Sequence, residues 1–270
     1  MKKKIGIIGC GWLGLPLAEF LIDKGYIIHG TTTNINKLPL LEKEGINPYL
    51  INVSPSKIVG AIAAFLDPLE VLIINIPPKL RGAGEKESYT AKIELLHKAI
   101  LESSVEKVIF ISSTSVYGDC VGSVSEDTIP LPSTSSGMQL LECEQLLLNC
   151  KKLQSTILRL GGLIGPKRHP ITMLSGKKGL KNGNAPVNLI HLNDCISIIY
   201  KILENDLFSF LYNVVANEHP IKQEYYRSMA QRRNLIPPSY ITTEGKNFKK
   251  IISCKNFITK SSVNFTSIYE

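Results

Sequence analysis

Three glycines near the amino terminus have the spacing of a phosphate-binding turn. Gly9, Gly11 and Gly14 form a G-x-G-x-x-G pattern directly after a short apolar run and directly before a helical pattern. In such a turn the first glycine permits the bend, the second lets the backbone approach a pyrophosphate, and the third lets the helix pack on the strand. Backbone N–H groups at the helix start, aided by the helix dipole, then face the anion. The pattern predicts a dinucleotide site; a glycine-rich turn that binds nothing is the alternative.

The end of the second predicted strand bears on which dinucleotide binds. Sites selective for NAD usually place Asp or Glu there, where the carboxylate accepts hydrogen bonds from the ribose 2′-hydroxyl. No carboxylate occurs here before Glu42, and the position carries hydroxyl, amide and lysine side chains, namely Thr31, Thr32, Thr33, Asn34 and Lys37. Hydroxyls with a nearby lysine suit a 2′-phosphate, so we expect NADP in preference to NAD. The alternative is that the threonines only cap the next turn.

A string of hydroxyl side chains follows the fifth predicted strand. It reads S-S-T-S-V-Y-G at residues 112–118. In an open α/β sheet, ligands bind at the carboxyl ends of the strands, so this string is a second candidate site. The alternative is that the hydroxyls only satisfy backbone groups at the strand end and that Tyr117 packs at the rim of a pocket.

Further strings follow in order along the chain: R-L-G-G-L-I-G-P at residues 159–166, H-L-N-D at 191–194 and Y-N-V at 212–214. With the glycine turn and the hydroxyl string, they resemble the extended short-chain dehydrogenase/reductase superfamily of nucleotide-sugar epimerases, dehydratases and reductases. The resemblance covers residues 3–215. It implies a Rossmann-type fold, NADP or NAD as cofactor, a small-molecule substrate such as a nucleotide-sugar, and a homodimer through helices near residues 89–103 and 138–150.

The superfamily's proton relay has no match in this sequence. In the superfamily a hydroxyl of the string, here Ser113, binds the substrate oxygen, and a tyrosine with a lysine four residues later moves the proton. None of the ten tyrosines is followed by lysine at that spacing; aligned through Glu144, the two positions fall on Ser136 and Leu140. The chain therefore resembles atypical members of the superfamily. Either another group supplies the acid, or the protein has no chemistry; the candidate acids are Ser113, Thr114, Tyr117 and His169.

The resemblance implies further contacts to the dinucleotide. They involve Cys10, Trp12, Leu13, Asn52, Val53, Ile76, Pro77, Ser112 and Leu160. Trp12 is expected to pack against the cofactor or against a second lobe. The basic residues Lys167, Arg168, Lys177, Lys178 and Lys181 could bind a diphosphate, or could be a solvated loop. Asp194 stands where the amino-terminal cap of a helix is expected, which is the preferred interpretation over a catalytic pair with His191.

The elements that would position these residues alternate between strand and helix. Apolar runs predict strands at residues 4–8, 26–29, 49–53, 71–76, 108–112 and 156–160, and helical patterns fall at 15–24, 57–66, 89–103 and 138–150. A strand at 187–191, a helix at 193–204 and a strand at 211–215 follow. This order predicts an α/β, doubly wound parallel sheet of the Rossmann type. We expect a dinucleotide-binding domain of residues 1–160, completed by 187–216, and a small substrate lobe of 161–186 and 217–270.

Composition excludes several other classes. The chain has 270 residues, 44% of them hydrophobic and 20% charged, which describes a globular protein. Its six cysteines form no C-x-x-C pair and its five histidines show no metal spacing, so we expect neither a disulfide framework nor a metal. The net charge of +8 is spread along the chain without interleaved aromatics, which argues against nucleic acid. No apolar run reaches the roughly 18 residues that span a bilayer. We expect a cytoplasmic protein.

Two hypotheses of function remain. The first is an oxidoreductase or epimerase that acts on a sugar-like or nucleotide-linked alcohol through Ser113. The second is a non-catalytic dinucleotide sensor. It is favoured because Ser136 and Leu140 stand at the positions of the relay's tyrosine and lysine.

Overall fold

The computed structural model describes residues 3–80, 86–241, 250–260 and 265–269. The strands of this part of the chain are β1 (Lys4–Ile8), β2 (Ile27–Thr32), β3 (Asn47–Leu50), β4 (Asn52–Val53), β5 (Ile58–Val59), β6 (Val71–Ile74), β7 (Lys107–Ser113), β8 (Gly122–Val124), β9 (Gln154–Leu160), β10 (Gly162–Ile164), β11 (Leu189–His191), β12 (Leu211–Val214) and β13 (Lys250–Ile252). The helices are α1 (Gly14–Asp23), α2 (Leu38–Lys43), α3 (Ile62–Leu66), α4 (Tyr89–Leu101), α5 (Ser135–Leu148), α6 (Pro170–Leu174), α7 (Leu192–Glu204), α8 (Lys222–Arg232) and α9 (Lys255–Lys260). Two short 3-10 turns lie at Ile35–Lys37 and Thr114–Tyr117.

Seven strands form one parallel sheet in the order β12-β9-β7-β6-β1-β2-β3. The chain builds outward from β1 to β2 and β3 on one side, then returns to β6 and continues to the other edge. The reversal places a topological switch point at the carboxyl ends of β1 and β6, where α/β sheets bind ligands. The predicted doubly wound α/β fold is confirmed.

Helices cover both faces of this sheet, which explains the near-continuous apolar strands. One cluster packs α1 and α7 against residues such as Ile5 and Ile7 of β1. A second packs α4 and α5 against the opposite face, with Ile74 and Phe110 at its centre. The carboxyl ends of the strands are thereby held on a rigid, double-sided core.

A smaller cluster lies beside the sheet and joins α6 to α8. Its buried members include Ile171, Tyr225 and Met229, together with Val187 and Ile268. The cluster therefore brings together side chains from residues 161–186, from 217–270 and from the start of the 187–216 segment.

The predicted helix at residues 57–66 is wrong over its first half. Its first residues form β5, which pairs antiparallel with β4, and only α3 is helical. Gly60 separates the two with a φ of +116°, and a Cβ there would lie 2.2 Å from the Leu50 carbonyl oxygen. A left-handed turn between β5 and α3 therefore interrupts the helical pattern, which periodicity alone does not show.

The start of α7 also differs from the prediction. His191, not Asp194, caps this helix, with its Nδ1 accepting a hydrogen bond from the Asn193 backbone N–H at 3.2 Å. Asp194 lies within the first turn, where its carboxylate accepts from the backbone N–H and the hydroxyl of Thr266. Over the described ranges, no helix is both long and apolar enough to cross a bilayer.

Candidate functional site

The glycine turn connects β1 to α1 at the switch point. Gly9 has a φ of +103°, and its backbone N–H donates to the Thr31 hydroxyl at 3.0 Å. A Cβ on Gly14 would lie 2.2 Å from the Gly9 carbonyl oxygen, so only glycine lets α1 start this close to the strand. A Cβ on Gly11 would meet no protein atom within 4 Å, because this residue faces solvent at the crevice. This cradle fits the pyrophosphate of a dinucleotide.

Asn75, which the sequence reasoning missed, supports the turn from the end of β6. Its side-chain amide donates to the Gly9 carbonyl oxygen at 3.0 Å. Cys10 and Leu13 are buried in the core beneath the turn, so only their backbone can face a ligand. Burial raises the pKa of the Cys10 thiol to about 12, which keeps it neutral.

The polar residues at the end of β2 divide into two groups. Thr31 and Thr32 are buried, and Thr32 and Asn34 accept backbone N–H groups at the following turn. Thr33 and Lys37 are exposed, and the Lys37 charge acts on the neighbouring Cys10 thiol. The capping role that was the alternative for these residues therefore accounts for the side chains of Thr32 and Asn34. Lys37 closes the following 3-10 turn through its backbone N–H, which donates to the Asn34 carbonyl oxygen at 3.0 Å, while the Thr33 and Lys37 side chains face solvent.

Trp12 joins the glycine turn to the loop that follows β10. Its indole Nε1 donates to the Pro166 carbonyl oxygen at 3.0 Å, and the Arg168 guanidinium lies over the ring, 4.8 Å from its centre. The other predicted basic residues are exposed and form no ion pair within the described part of the chain: Lys167, Lys177, Lys178 and Lys181.

The hydroxyl string lies at the carboxyl end of β7, where it turns into the 3-10 turn. The Ser113 side chain is half-buried and accepts the Ser115 backbone N–H at 3.1 Å. Thr114 is also half-buried. A hydroxyl that accepts one N–H still has a proton to donate, so Ser113 can bind a substrate oxygen.

Ser112 points the other way, into a buried charged network. Its hydroxyl donates to Glu144 Oε1 at 2.5 Å, and Arg159 binds the same carboxylate through Nη2 at 2.6 Å. The Arg159 and Glu144 side chains are 4% and 1% exposed. The ion pair joins β9 to α5, and the Ser112 hydrogen bond joins β7 to the same carboxylate. The sequence gives no local signal for a pair of charges 15 residues apart.

Tyr117 is fully buried and its phenol donates to Asn213 Oδ1 at 2.8 Å. The Arg159 guanidinium lies 4.8 Å from the centre of the ring. Burial raises the pKa of the phenol despite this cation, since desolvation outweighs the charge. In this arrangement the phenol is a neutral structural donor.

His169 lies within the small cluster rather than on the hydroxyl string. Nδ1 accepts the Ile171 backbone N–H at 3.1 Å, and Nε2 lies 2.9 Å from the Tyr225 hydroxyl, which donates to the Ile268 carbonyl oxygen. The acceptor role of Nδ1 places the proton on Nε2. Burial lowers the pKa of His169 to about 4, so the imidazole is neutral near neutral pH.

The remaining predicted contacts lie after β6, on β9 and on β4, which pairs with β5 outside the seven-stranded sheet. Ile76 and Pro77 follow β6, and the Ile76 carbonyl accepts the Tyr89 hydroxyl at 2.9 Å. Asn52 is exposed on β4, whereas Val53 and Leu160 are buried. Ser136 and Leu140 lie on α5, and both are buried.

A cavity of about 450 Å³ begins at Gly118, directly after the 3-10 turn. Asp119, Lys222 of α8 and Lys250 of β13 also line it, and Lys250 Nζ donates to the Gly118 carbonyl oxygen at 2.6 Å. Burial, and then the charge of Lys250, lower the pKa of Lys222. The cavity thus places two partly desolvated cations beside Gly118, the last residue of the hydroxyl string.

Two comparisons by sequence found relatives of this chain. The model of a family described as NAD dependent epimerase/dehydratase matches residues 5–214. Protein YeeZ of Escherichia coli K12 is 36% identical over 252 residues, which are 93% of this chain and 91% of that protein.

Two solved structures share the fold at low identity. UDP-glucuronic acid 4-epimerase from Bacillus cereus, in complex with UDP-glucuronic acid and NAD, has a TM-score of 0.79 at 19% identity, covering 97% of this chain and 95% of that one. MoeE5 in complex with UDP-glucose and NAD also has a TM-score of 0.79 at 19% identity, covering 98% and 95%. At such identity these matches support the fold alone.

Proposed function

We propose a function from the premise that this chain belongs to the NAD-dependent epimerase/dehydratase family. In this proposal the protein is an NAD(P)-binding oxidoreductase or epimerase that acts on a sugar-like or nucleotide-linked alcohol. The observation that carries the proposal is the Ser113 hydroxyl at the carboxyl end of β7, on the sheet edge that also holds the glycine turn.

The glycine turn would hold the dinucleotide, which when bound supplies the hydride acceptor or donor. Gly11 leaves its pyrophosphate room at the start of α1, and Thr31 and Asn75 hold the turn in shape. We propose NADP over NAD because Thr33 and Lys37 are exposed at the end of β2, where no carboxylate occupies the place of a 2′-phosphate.

Ser113 and Thr114 would orient the substrate alcohol, and the cavity that begins at Gly118 would hold the remainder of the substrate. Lys222 and Lys250 favour a substrate that carries negative charge, such as the diphosphate of a nucleotide-sugar. Both lysines are partly desolvated, so an anion between them would interact more strongly than at the surface.

The proposed reaction does not use the tyrosine and lysine of the usual proton relay. In the alignment through Glu144 their positions fall on Ser136 and Leu140, two buried residues of α5, and a leucine cannot lower the pKa of a phenol. Tyr117 serves as structural support for Asn213, and His169 as support for the small cluster. The proton would therefore pass through the Ser113 or Thr114 hydroxyl to solvent or to the substrate itself.

The test is Ser113→Ala, with Ser115→Ala in the same turn as the matched control. Purified protein is mixed with reduced or oxidised dinucleotide and a panel of nucleotide-sugars, and the absorbance of the reduced cofactor and the sugar products are followed. Loss of a donor aimed at the reacting oxygen lowers kcat by about a hundredfold. Dinucleotide affinity stays unchanged in both variants. A wild-type turnover that Ser113→Ala leaves intact would refute the role of this hydroxyl.

A non-catalytic dinucleotide sensor is the second candidate, favoured by the buried Ser136 and Leu140 in the relay positions. It predicts dinucleotide binding with no turnover across the whole panel. It also predicts a macromolecular partner whose affinity changes when the dinucleotide binds. Equal partner affinity with and without dinucleotide would contradict this candidate.

A cytoplasmic homodimer through α4 and α5 completes the proposal. Met138 and Leu148 of α5 are 48% and 45% exposed, which leaves apolar surface on this helix for a second copy. Light scattering after size exclusion gives the mass; a monomer at micromolar concentration would contradict this part of the proposal.

A further inference from the structure

The loop at residues 165–168 crosses over the glycine turn and contacts Trp12. The contact joins residues 154 positions apart in the chain. A Cβ on Gly165 would make a tight contact of 3.2 Å with Trp12 Cζ2, and the φ of +150° at this residue is one that other residues rarely adopt, so glycine is favoured here. The loop is therefore fitted to the side chain of a residue that belongs to the phosphate-binding turn itself.

This loop has a closed shape that fixes where Arg168 stands. The backbone N–H groups of Gly165 and Arg168 each donate to the other's carbonyl oxygen, at 2.9 and 3.0 Å. Pro166 and Lys167 form the tip, and Lys167 adopts a φ of +58°, as in a type II turn with proline first. The guanidinium that lies over Trp12 thus belongs to a residue whose backbone is held in place by two hydrogen bonds.

The contact with Trp12 leaves the charge of Arg168 available to a ligand. A cation–π contact with an aromatic face uses none of the N–H groups of a guanidinium, so these can still bind an anion. Within the described part of the chain, Arg168 forms no ion pair, and its side chain is exposed. The glycine turn itself offers only neutral backbone N–H groups to a pyrophosphate.

We propose that Arg168 binds a phosphate of the dinucleotide, so that the cofactor is held by the glycine turn on one side and by the loop at residues 165–168 on the other. The phosphate is either the pyrophosphate or the 2′-phosphate of NADP. The inference rests on the proposed dinucleotide binding. It assigns to Trp12 the role of a positioning residue that holds the guanidinium over the crevice.

The sole tryptophan gives a direct measurement of this binding. Trp12 emission is followed during titration with NADPH and NADH, and calorimetry with NADP and NAD supplies the dissociation constants independently. The variants are Arg168→Gln and, as a control with the same chemical change, Arg227→Gln at an exposed position of α8. Thermal unfolding verifies that each variant is folded.

Loss of a charged hydrogen bond is expected to raise the Kd by about tenfold or more in Arg168→Gln, and by less than about twofold in Arg227→Gln. An equal loss for NADP and NAD identifies the pyrophosphate; a loss for NADP alone identifies the 2′-phosphate. Arg168→Lys keeps the charge without the planar fork and should recover part of the affinity. Added salt should weaken wild-type binding more than binding by Arg168→Gln.

Two results would overturn the inference. One is an unchanged Kd for both dinucleotides in Arg168→Gln while the wild type binds. The other is weakened binding of UDP-glucose only, which would assign the arginine to the substrate. If the wild type binds no dinucleotide at all, the proposed function fails as well, so the two failures are distinguishable.

Discussion

Glu144→Gln should strongly destabilise the protein, although the two side chains have nearly the same size. The change keeps the shape of the side chain but removes the charge that Arg159 faces. Arg159 donates to this carboxylate from Nε at 3.1 Å to each oxygen and from Nη2 at 2.6 Å, and Ser112 donates at 2.5 Å. With both side chains at most 4% exposed, the arginine would remain buried without its counter-charge.

Removing one partner of a buried ion pair costs about 3–5 kcal/mol, a large share of the roughly 5–15 kcal/mol that keeps a domain folded. Urea unfolding, followed by far-UV circular dichroism and by Trp12 emission, measures the free energy of unfolding. The double variant Glu144→Leu with Arg159→Met should lose less free energy of unfolding than Glu144→Gln, because no charge then stays buried.

The exposed pair of Lys255 and Asp127 is the matched control, since its side chains are 60% and 68% exposed. Asp127→Asn should change the free energy of unfolding by less than about 1 kcal/mol. A cost below about 1 kcal/mol for Glu144→Gln, or a double variant that is no more stable than Glu144→Gln, would refute the reasoning that the buried charge is what matters.

Three further predictions concern the small cluster, the hydroxyl string and the glycine turn. Burial lowers the pKa of His169 from 6.5 to about 4, so the unfolded chain binds more protons in this window and stability falls as pH decreases through it. Between about pH 7 and pH 5 the loss due to this residue is roughly 2 kcal/mol, and urea unfolding of His169→Gln should show a pH dependence smaller by that amount. Tyr117→Phe leaves the buried Asn213 Oδ1 without its donor and should cost about 1–3 kcal/mol in the same assay; an unchanged midpoint would contradict the hydrogen bond. In the glycine turn, Gly14→Ala places a Cβ 2.2 Å from the Gly9 carbonyl oxygen and should lower both thermal stability and dinucleotide affinity. Gly11→Ala meets no protein atom within 4 Å and should lower dinucleotide affinity in calorimetry while the melting temperature stays unchanged.

The sequence by itself determined the α/β order and the placement of both candidate sites. Continuous apolar strands separated by helical patterns allow little besides a parallel sheet covered on both faces. The G-x-G-x-x-G pattern after β1 and the hydroxyl string after β7 then fall at the same edge of that sheet, because parallel strands end together. These inferences succeed because each depends on residues close together in the chain.

Tertiary structure alone decided which side chains meet. No local pattern pairs Glu144 with Arg159, assigns Asn75 to the Gly9 carbonyl, or brings Trp12 to Arg168. The same sequence signals placed a helix over residues 57–66 that Gly60 interrupts. The physical reason is that hydrogen bonds and ion pairs depend on distance and orientation after packing. The type of a residue states what it can donate or accept, and only the folded chain selects its partner.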